Sequence, residues 1–320
     1  MTSMYRGLMG AVSLTSVMFL AAACLAADLS DASEIEAIAV LEVPSYCEGV
    51  VFDHEGRGYV SEGETIWQFT LDGKKKEWAR TGAPNGHKVL ADGTHLVCDA
   101  SRLAVLHLSK TGKMLEPASD ECEGKPLLGP NDLTLDTPNG GFYFSDPGNS
   151  GKDNPIGTVH YVNADGKTSL ISDGLAYPNG IVLTPDGRRL YLAESQKNRV
   201  LVFEVTGPGQ VTDRKLFADL PAKDEAAGQV DNQPDGMCLD AAGNLYVAHY
   251  GMRQVQVLDP EGKLVARYPG GNLTTSNVAF GGPRLDQLYV TGGLDIGKGA
   301  GGLFRLDLGV KGLKILPAKK

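Results

Sequence analysis

Apolar and polar positions alternate with a period of two through most of the chain after residue 34, and this alternation predicts β-strands. Pro185-Asp186-Gly187 supplies a turn signal between two such segments. Around that turn the pattern predicts four consecutive strands, at Gly180 to Thr184, Arg189 to Ala193, Arg199 to Val205 and Lys215 to Ala218. The period of 3.6 residues that is typical of helices is absent after the first 27 residues, so the predicted fold is nearly all-β.

A short polar signature, here called an opener, precedes the first strand of each repeat. The middle residue of an opener is Glu, Asn or Asp, and the six middle residues are separated by 37, 46, 48, 56 and 42 positions. This is the period at which one repeat forms a four-stranded propeller blade, so we expect a six-bladed β-propeller around a central channel. The openers are Cys47-Glu48-Gly49, Pro84-Asn85-Gly86, Pro130-Asn131-Asp132, Pro178-Asn179-Gly180, Pro234-Asp235-Gly236 and Ser276-Asn277-Val278.

A second residue, here called a closer, ends the following strand 14 or 15 positions after the middle of each opener. Because an antiparallel pair returns the chain to the face it left, openers and closers share one face of the propeller, with the openers innermost. An alternative stays open for Asn85 and Asn277, which also fit ordinary turn-forming residues at strand ends, without a ligand role. The closers are Glu62, Asp99, Asp146, Glu194, His249 and Gly292.

The chain of 320 residues has no linker or composition shift between residues 34 and 316, so one domain over residues 28–320 is expected rather than two. Glu34 to Val43 predicts an additional strand before the first opener. That strand is expected to pair with the last blade and close the ring. The first 27 residues carry Arg6, an apolar run and small residues near Ala27, a layout typical of a secretory signal peptide. A periplasmic or secreted protein is therefore expected.

Cys24, after three alanines, loosely resembles a lipid-anchor site, which leaves an anchored form as an alternative, with no membrane span. Four cysteines follow the predicted signal, and Cys98 with Cys122 is the predicted disulfide, whereas Cys238 is expected to be a buried thiol. Removing the segment that carries Arg6 changes the formal charge from −9 to −10. A chain without a basic stripe is not expected to bind nucleic acid.

Carboxylate and amide oxygens dominate the openers, and these are the ligands that hard cations prefer. A buried carboxylate at a channel mouth, as expected for Glu48, is costly unless it is paired or bound to metal. Glu48, Asn131, Asn179 and Asp235 are therefore the predicted ligands of one divalent ion. Ca²⁺ is the expected ion, with Mg²⁺, Mn²⁺ or Zn²⁺ as alternatives.

The openers and the residues after them resemble the SMP-30/gluconolactonase/LRE-like family of six-bladed propellers, and within it the bacterial gluconolactonases. The resemblance covers roughly residues 45 to 308. It implies a divalent metal held by Glu48, Asn179 and Asp235, with Asn131 contacting the substrate or the metal. Gly129 stands where the animal lactonases have an Arg that recognises sugar hydroxyls. The motifs that carry the resemblance are GPNDLTLDTPNGGFYFSDPG from Gly129, YPNGIVLTPDGRRLYLAES from Tyr177, PDGMCLDAAGNLYVAH from Pro234 and SNVAFGG from Ser276.

The resemblance implies a hydrolase that opens a sugar lactone, a small-molecule substrate. Asp235 is the predicted residue for activating the attacking water, Asn131 for contacting the substrate, and His249 is the alternative base. Asp146 and Glu194 are expected to orient the openers. Two alternatives remain, a metal-dependent arylesterase or phosphotriesterase and a propeller that binds a ligand without catalysis.

Overall fold

The computed structural model describes residues 29–223, 231–295, 299–313 and 316–317. Six small β-sheets form a ring, which confirms the predicted six-bladed β-propeller. The innermost strand of each sheet contacts the innermost strands of the two neighbouring sheets, so these six strands surround the central channel. Within the described residues only two 3₁₀ turns are helical, Ala32–Glu34 and Ser195–Lys197. The predicted signal segment 1–27, which includes Cys24, lies outside the described residues.

Strands are numbered in chain order, and blades follow that order. Blade 1 contains β2 (Cys47–Phe52), β3 (Gly58–Glu62), β4 (Thr65–Phe69) and β5 (Lys75–Arg80). Blade 2 contains β6 (Pro84–Val89), β7 (His95–Asp99) and β8 (Ala104–Leu108), and a separate hairpin follows with β9 (Glu121–Cys122) and β10 (Lys125–Pro126). Blade 3 contains β11 (Leu133–Asp136), β12 (Gly141–Asp146), β13 (Gly157–Val162) and β14 (Thr168–Leu175).

Blade 4 contains β15 (Pro178–Leu183), β16 (Arg189–Glu194), β17 (Arg199–Gly207), β18 (Gln210–Val211) and β19 (Lys215–Asp219). Blade 5 contains β20 (Gln233–Leu239), β21 (Leu245–Tyr250), β22 (Gln254–Leu258) and β23 (Leu264–Pro269). Blade 6 contains β24 (Thr274–Gly281), β25 (Gln287–Gly293), β26 (Gly301–Asp307) and β1 (Ile38–Val43).

The strand β1 pairs with β26 in antiparallel register, with Val43 opposite Gly301. The predicted strand ahead of the first opener therefore does close the ring. Leu41 and Val43 of β1 are buried in the cluster that also contains Tyr289 and Leu303 of blade 6. Residues from the start and the end of the chain thus share one core, which joins the first blade to the last.

The prediction of four strands in every blade is wrong for two blades. Blade 2 has three strands, and only the isolated bridges Val105–Ser119 and Leu108–Met114 follow them. Pro117 lies in that returning segment and has no N–H to donate, which interrupts a fourth strand. Blade 4 has five strands because β17 continues beyond the blade and pairs with the short β18.

The predicted disulfide is also wrong, since all four described cysteines are free thiols. Cys98 and Cys122 do pack in the same apolar cluster, but Cys98 is a buried residue of β7 and Cys122 belongs to the short hairpin outside blade 2. Cys238 is buried as expected, and burial raises the thiol's pKa far above its ordinary value. No helix in the described part of the chain has the length and apolar character needed to cross a bilayer.

The blades pack through apolar faces. A tyrosine recurs three positions before the closer in five of the six blades, on the second strand, and each ring is almost completely buried between sheets. Large aromatic side chains of this kind contribute much of the apolar area that a blade removes from water. These tyrosines are Tyr59, Tyr143, Tyr191, Tyr246 and Tyr289.

Candidate metal centre

Each opener lies at or next to the start of an innermost strand, where the strand pairing is irregular. The pairing register shifts between Glu48 and Val51, and equivalent shifts span the openers of blades 2, 4, 5 and 6. A β-bulge bends its strand and redirects side chains that regular pairing would place in the sheet. The bulge is therefore a repeated feature of the opener, present in five of the six blades.

The glycines in four openers allow neighbouring blades to approach each other closely. A Cβ on Gly180 would lie 2.2 Å from the carbonyl oxygen of Asp235, and one on Gly86 would lie 2.3 Å from Oδ1 of Asp132. A Cβ on Gly236 would meet the amide of Asn277 at 2.3 Å. The backbone at these glycines therefore packs directly against the neighbouring opener, and a side chain at these positions would separate the two.

Changing Gly180 to Ala is expected to reduce the free energy of unfolding by about 2 to 3 kcal/mol, because the new methyl group meets the rigid backbone of Asp235. Urea denaturation measures the change. Gly151→Ala is the matched control, since a Cβ there meets no described heavy atom within 4 Å, and its effect should stay within about 0.5 kcal/mol. Equal effects of the two substitutions would contradict close packing of the openers.

A cavity of about 540 Å³ opens on the face that carries the openers. Five of the six middle residues of the openers line it, including all four predicted metal ligands. The sixth, Asn277, lies outside the cavity, where its side-chain oxygen accepts a hydrogen bond from the backbone N–H of Val278 at 2.9 Å. The lining residues are Tyr46, Glu48, Asn85, Asn131, Tyr177, Asn179, Asp231, Gln233, Asp235 and Tyr250.

Three oxygens of the predicted ligands are buried without a hydrogen-bond partner in the described part of the chain: Oε2 of Glu48, Oδ1 of Asn131 and Oδ1 of Asp235. A buried acceptor that is left unsatisfied costs about 1 to 3 kcal/mol, and more when it is charged. Three such oxygens in one cavity indicate that something absent from the polypeptide satisfies them. The other oxygen of Glu48 accepts a hydrogen bond from the hydroxyl of Tyr46 at 2.5 Å.

The carboxylates of this centre are difficult to ionise without a cation. Burial raises the pKa of Glu48 to about 8, although the Tyr46 hydroxyl opposes the shift. Burial and the nearby charge of Glu48 raise the pKa of Asp235 well above its ordinary value. Burial also raises the pKa of Asp132, whose carboxylate lies 3.7 Å from Nζ of Lys88. When both are ionised, Glu48 and Asp235 carry two formal negative charges, which one divalent cation would balance.

The donor set fits a hard cation. Among the residues that the structure describes, no cluster of three or more His, Cys, Asp or Glu side chains is arranged to hold a metal. The centre instead combines two carboxylates, Glu48 and Asp235, with the amides of Asn131 and Asn179. Carbonyl and carboxylate oxygens without thiolate or imidazole are the environment that Ca²⁺ and Mg²⁺ prefer.

The carboxylate closers fix the segments that enter the openers. Asp99 accepts hydrogen bonds from the backbone N–H groups of Gly82 at 2.8 Å and Ala83 at 2.9 Å, directly before the opener of blade 2. Asp146 does the same for Leu128 and Gly129 before the opener of blade 3. Charge-assisted hydrogen bonds of this kind are the stronger ones. Asp146 therefore orients its opener as expected.

Glu194 repeats this arrangement in blade 4, whereas Glu62 in blade 1 is bound by side-chain donors. Glu194 accepts a hydrogen bond from the N–H of Ala176 at 3.0 Å and is paired with Arg199 at 2.6 Å. Glu62 accepts hydrogen bonds from the hydroxyl of Ser45 and from Nε1 of Trp67. The predicted outer ring thus holds the loops that carry the ligands, and Glu194 also has the orienting role expected for it.

His249 is the predicted site residue that the structure does not bring to the cavity. It is the penultimate residue of β21, opposite Pro234, is fully buried, and its Nε2 lies 2.8 Å from Oδ1 of Asn198. Burial lowers the pKa of His249 to about 3, with the charges of Lys223 and Arg267 acting in the same direction. This position does not support the alternative of His249 as the base, because the ring lies outside the cavity lining.

Sequence reasoning missed five residues of the cavity wall. Tyr46, Tyr177 and Gln233 directly precede openers, and Tyr250 directly follows a closer, so the register of the repeat is the signal that could have found them. Tyr177 adopts a φ of 58°, a conformation that is uncommon for a bulky residue and that marks functional sites. The rings of Tyr46 and Tyr250 meet edge to face with centroids 6.2 Å apart. Asp231 completes the wall.

Comparison with known proteins adds relatives of about one quarter to one third identity. A pentonolactonase from Haloferax volcanii is 28% identical over 237 residues, which are 69% of this chain and 77% of that protein. A gluconolactonase from Zymomonas mobilis is 31% identical over 215 residues, 63% of this chain, and the match spans only 59% of that relative. A diisopropyl-fluorophosphatase from Loligo vulgaris is 26% identical over 76% of this chain and 84% of its own length.

Solved structures show the same fold. A gluconolactonase from Xanthomonas campestris superposes with a TM-score of 0.72 at 24% identity, covering 87% of this chain and 91% of that one. A calcium-binding regucalcin from Agrobacterium tumefaciens superposes with a TM-score of 0.69 at 22% identity, covering 89% of this chain and 100% of that one. The protein-family model for the SMP-30/Gluconolactonase/LRE-like region matches residues 47–293 of the sequence, from the first opener to the end of β25. The chain therefore belongs to the SMP-30/gluconolactonase/LRE-like family.

Proposed function

We propose that this protein is a metal-dependent hydrolase that opens a sugar lactone. The observation that carries the proposal is the set of three buried oxygens without partners, on Glu48, Asn131 and Asp235, in one cavity of the propeller face. The pentonolactonase and the gluconolactonase among the relatives support lactones as the substrate class. The regucalcin neighbour supports calcium as the ion.

Glu48, Asn179 and Asp235 would hold the ion, and Asn131 would hold either the ion or the substrate. A bound divalent cation supplies a Lewis acid that polarises the lactone carbonyl. Ca²⁺ suits the oxygen ligands best, with Mg²⁺, Mn²⁺ and Zn²⁺ as alternatives. Tyr46 donates a hydrogen bond to Glu48 and so fixes that carboxylate within the cavity.

Asp235 is the proposed general base. Its carboxylate lines the cavity beside the other predicted ligands, so once ionised it can accept a proton from a water molecule held there. Water attacks the lactone carbonyl carbon while Asp235 takes one proton from that water. The ring C–O bond then breaks, and the proton passes to the departing ring oxygen, which gives the hydroxy acid. Asn131 would orient the substrate through its side-chain amide.

The cavity wall provides contacts for a hydroxylated ring. Gly129 offers no side chain where the animal lactonases have an Arg, so hydroxyl recognition must come from other residues. Gln233 and Asp231 present hydrogen-bonding groups, and Tyr46, Tyr177 and Tyr250 present aromatic rings. This combination suits a ring with polar edges and C–H faces.

The test is a substrate panel on purified protein, comparing 1,5-gluconolactone and other lactones with an aryl ester and a phosphotriester, each with chelator and with Ca²⁺ restored. We expect lactone turnover that chelation abolishes and Ca²⁺ restores. Turnover of the phosphotriester without any lactone would favour the second candidate function, which the diisopropyl-fluorophosphatase relative supports. If no substrate is turned over, and ligand binding survives the combined replacement of Glu48 and Asp235, the protein would be a propeller that binds a ligand without catalysis.

We also propose that the protein is exported to the periplasm or the medium. The support is the charged start, apolar run and small residues of positions 1–27. Mass spectrometry of the protein recovered from a periplasmic fraction should show a mature N-terminus near residue 28. A full-length chain that stays in the cytoplasm would contradict export.

A further inference from the structure

His249 is the one predicted site residue outside the cavity, and its hydrogen bond to Asn198 shows which ring nitrogen carries a hydrogen. Asn198 donates from Nδ2 to the carbonyl oxygens of Leu220 at 3.0 Å and Pro221 at 3.3 Å. The amide oxygen of Asn198 is therefore the atom that faces Nε2 of His249 at 2.8 Å. An oxygen can only accept, so Nε2 carries a hydrogen and His249 is the donor of this bond.

Asn198 is suited to this position by its backbone as well as its side chain. It has φ 50° and ψ 46°, the left-handed conformation that Asn tolerates better than most residues. Its backbone carbonyl accepts a hydrogen bond from the N–H of Leu220 at 3.0 Å. Three hydrogen bonds therefore join Asn198 to the segment Leu220–Pro221, and the fourth joins it to His249.

The segment held by Asn198 is connected to the cavity wall. The carbonyl oxygen of Pro221, which accepts from Asn198, also accepts from Nδ2 of Asn232 at 3.4 Å. Asn232 lies between Asp231 and Gln233, both of which line the cavity. On the other side, His249 precedes Tyr250, which also lines the cavity and pairs with Gln233 in the sheet. His249 and Asn198 are thus connected to the chain segments that carry Asp231, Gln233 and Tyr250 of the cavity wall.

We propose that His249 is a positioning residue that, through Asn198, fixes the wall formed by Asp231, Gln233 and Tyr250. This inference rests on the proposed function, because it assigns that wall to substrate binding. Proton transfer is left to Asp235. The clamp consists of His249, Asn198 and the carbonyl oxygens of Leu220 and Pro221.

The kinetic test uses His249→Leu, which removes the donor, and Asn198→Gly, which keeps the left-handed backbone but removes the amide. We expect each variant to raise KM for 1,5-gluconolactone about tenfold and to change kcat less than threefold. Because both residues belong to one clamp, the double variant should resemble either single variant rather than their product. His249→Gln, which can donate from a similar position, should recover most of the affinity.

A loss of kcat of about a hundredfold or more at unchanged KM in His249→Leu would overturn the proposal, since that is the effect of removing a base. Unchanged kcat and KM in both variants would overturn it as well. If His249→Leu does not fold, Asn198→Gly carries the test. Ca²⁺ affinity, measured by calorimetry, should stay within about twofold, because neither residue belongs to the metal centre.

Amide hydrogen exchange tests the clamp without any substrate. In Asn198→Gly we expect exchange at residues 231–233 and 250–252 to accelerate about tenfold, while blade 1 is unchanged. Unchanged exchange there would overturn the clamp whether or not the protein hydrolyses lactones. Accelerated exchange in a protein without lactone turnover would instead keep the clamp and remove the proposed function.

Discussion

Changing Asp235 to Asn is expected to lower kcat/KM for 1,5-gluconolactone by about a thousandfold or more. The substitution is nearly isosteric, but it removes the proposed base, whose loss alone costs a factor of about 10² to 10⁴. It also removes one of the two carboxylates that would balance the charge of a divalent ion. Initial rates of lactone hydrolysis at saturating Ca²⁺, followed by titration of the released acid, measure the effect.

Asp219→Asn is the matched control, because Asp219 is an exposed residue at the end of β19. It should hydrolyse the lactone at the wild-type rate. In the absence of metal, Asp235→Asn should be at least as stable as the wild type at pH 8. The substitution puts a neutral amide in place of a buried carboxylate, and burial raises the pKa of that carboxylate. Wild-type turnover in a folded Asp235→Asn variant would contradict both proposed roles of Asp235, as base and as metal ligand.

The sequence was sufficient to predict the ring of blades because each repeat carries its own local signals. The alternation of period two, the turn at Pro185-Asp186-Gly187 and the opener spacing each indicate the same unit. The strand counts of blades 2 and 4 were not predictable in this way. They depend on Pro117 interrupting a pairing strand and on β17 continuing past its blade, which are departures from the repeat.

The opener side chains of the metal centre were predictable for the same reason, since equivalent positions of a repeat meet around one axis. Asn277 fits the pattern but is not part of the cavity lining, because its amide packs against Gly236 and its oxygen accepts from the N–H of Val278. Tyr46, Tyr177 and Tyr250 were missed since their positions flank the repeated signature and hold aromatic residues in only some blades. The hydrogen-bond partner of His249 was also not predictable, because Asn198 is 51 residues away in sequence.

The stability that the protein gains from Ca²⁺ is expected to increase as pH rises from about 5 to about 8. In the metal-free protein, the pKa of Glu48 is raised from 4.5 to about 8, and that of Asp235 is raised as well. The folded state therefore keeps protons that the unfolded chain has already lost in this range. A carboxyl group whose pKa is higher in the folded state than in the unfolded state contributes its full stabilisation at a pH below its unfolded pKa. This contribution is lost as the pH rises through the folded pKa.

Ca²⁺ replaces those protons and removes the electrostatic cost of the ionised pair, so its effect on Tm should be small at pH 5 and largest near pH 8. Thermal unfolding with excess Ca²⁺ and with chelator, at pH 5, 6.5 and 8, measures the difference in Tm. Glu194, whose pKa is lowered by the N–H of Ala176 and by Lys197 and Arg199, favours the opposite trend. Because its partners are the same with and without Ca²⁺, its contribution cancels in the difference.

The combined variant Glu48→Gln with Asp235→Asn isolates the cause of the pH dependence. It keeps the shape of the centre while removing both titrating carboxylates, so Ca²⁺ should change its Tm little at any of the three pH values. A Ca²⁺ effect in the wild type that is constant with pH, or largest at pH 5, would mean that the ion binds away from Glu48 and Asp235. The buried oxygens without partners would then need another ligand, and the lactone mechanism would lose its metal centre.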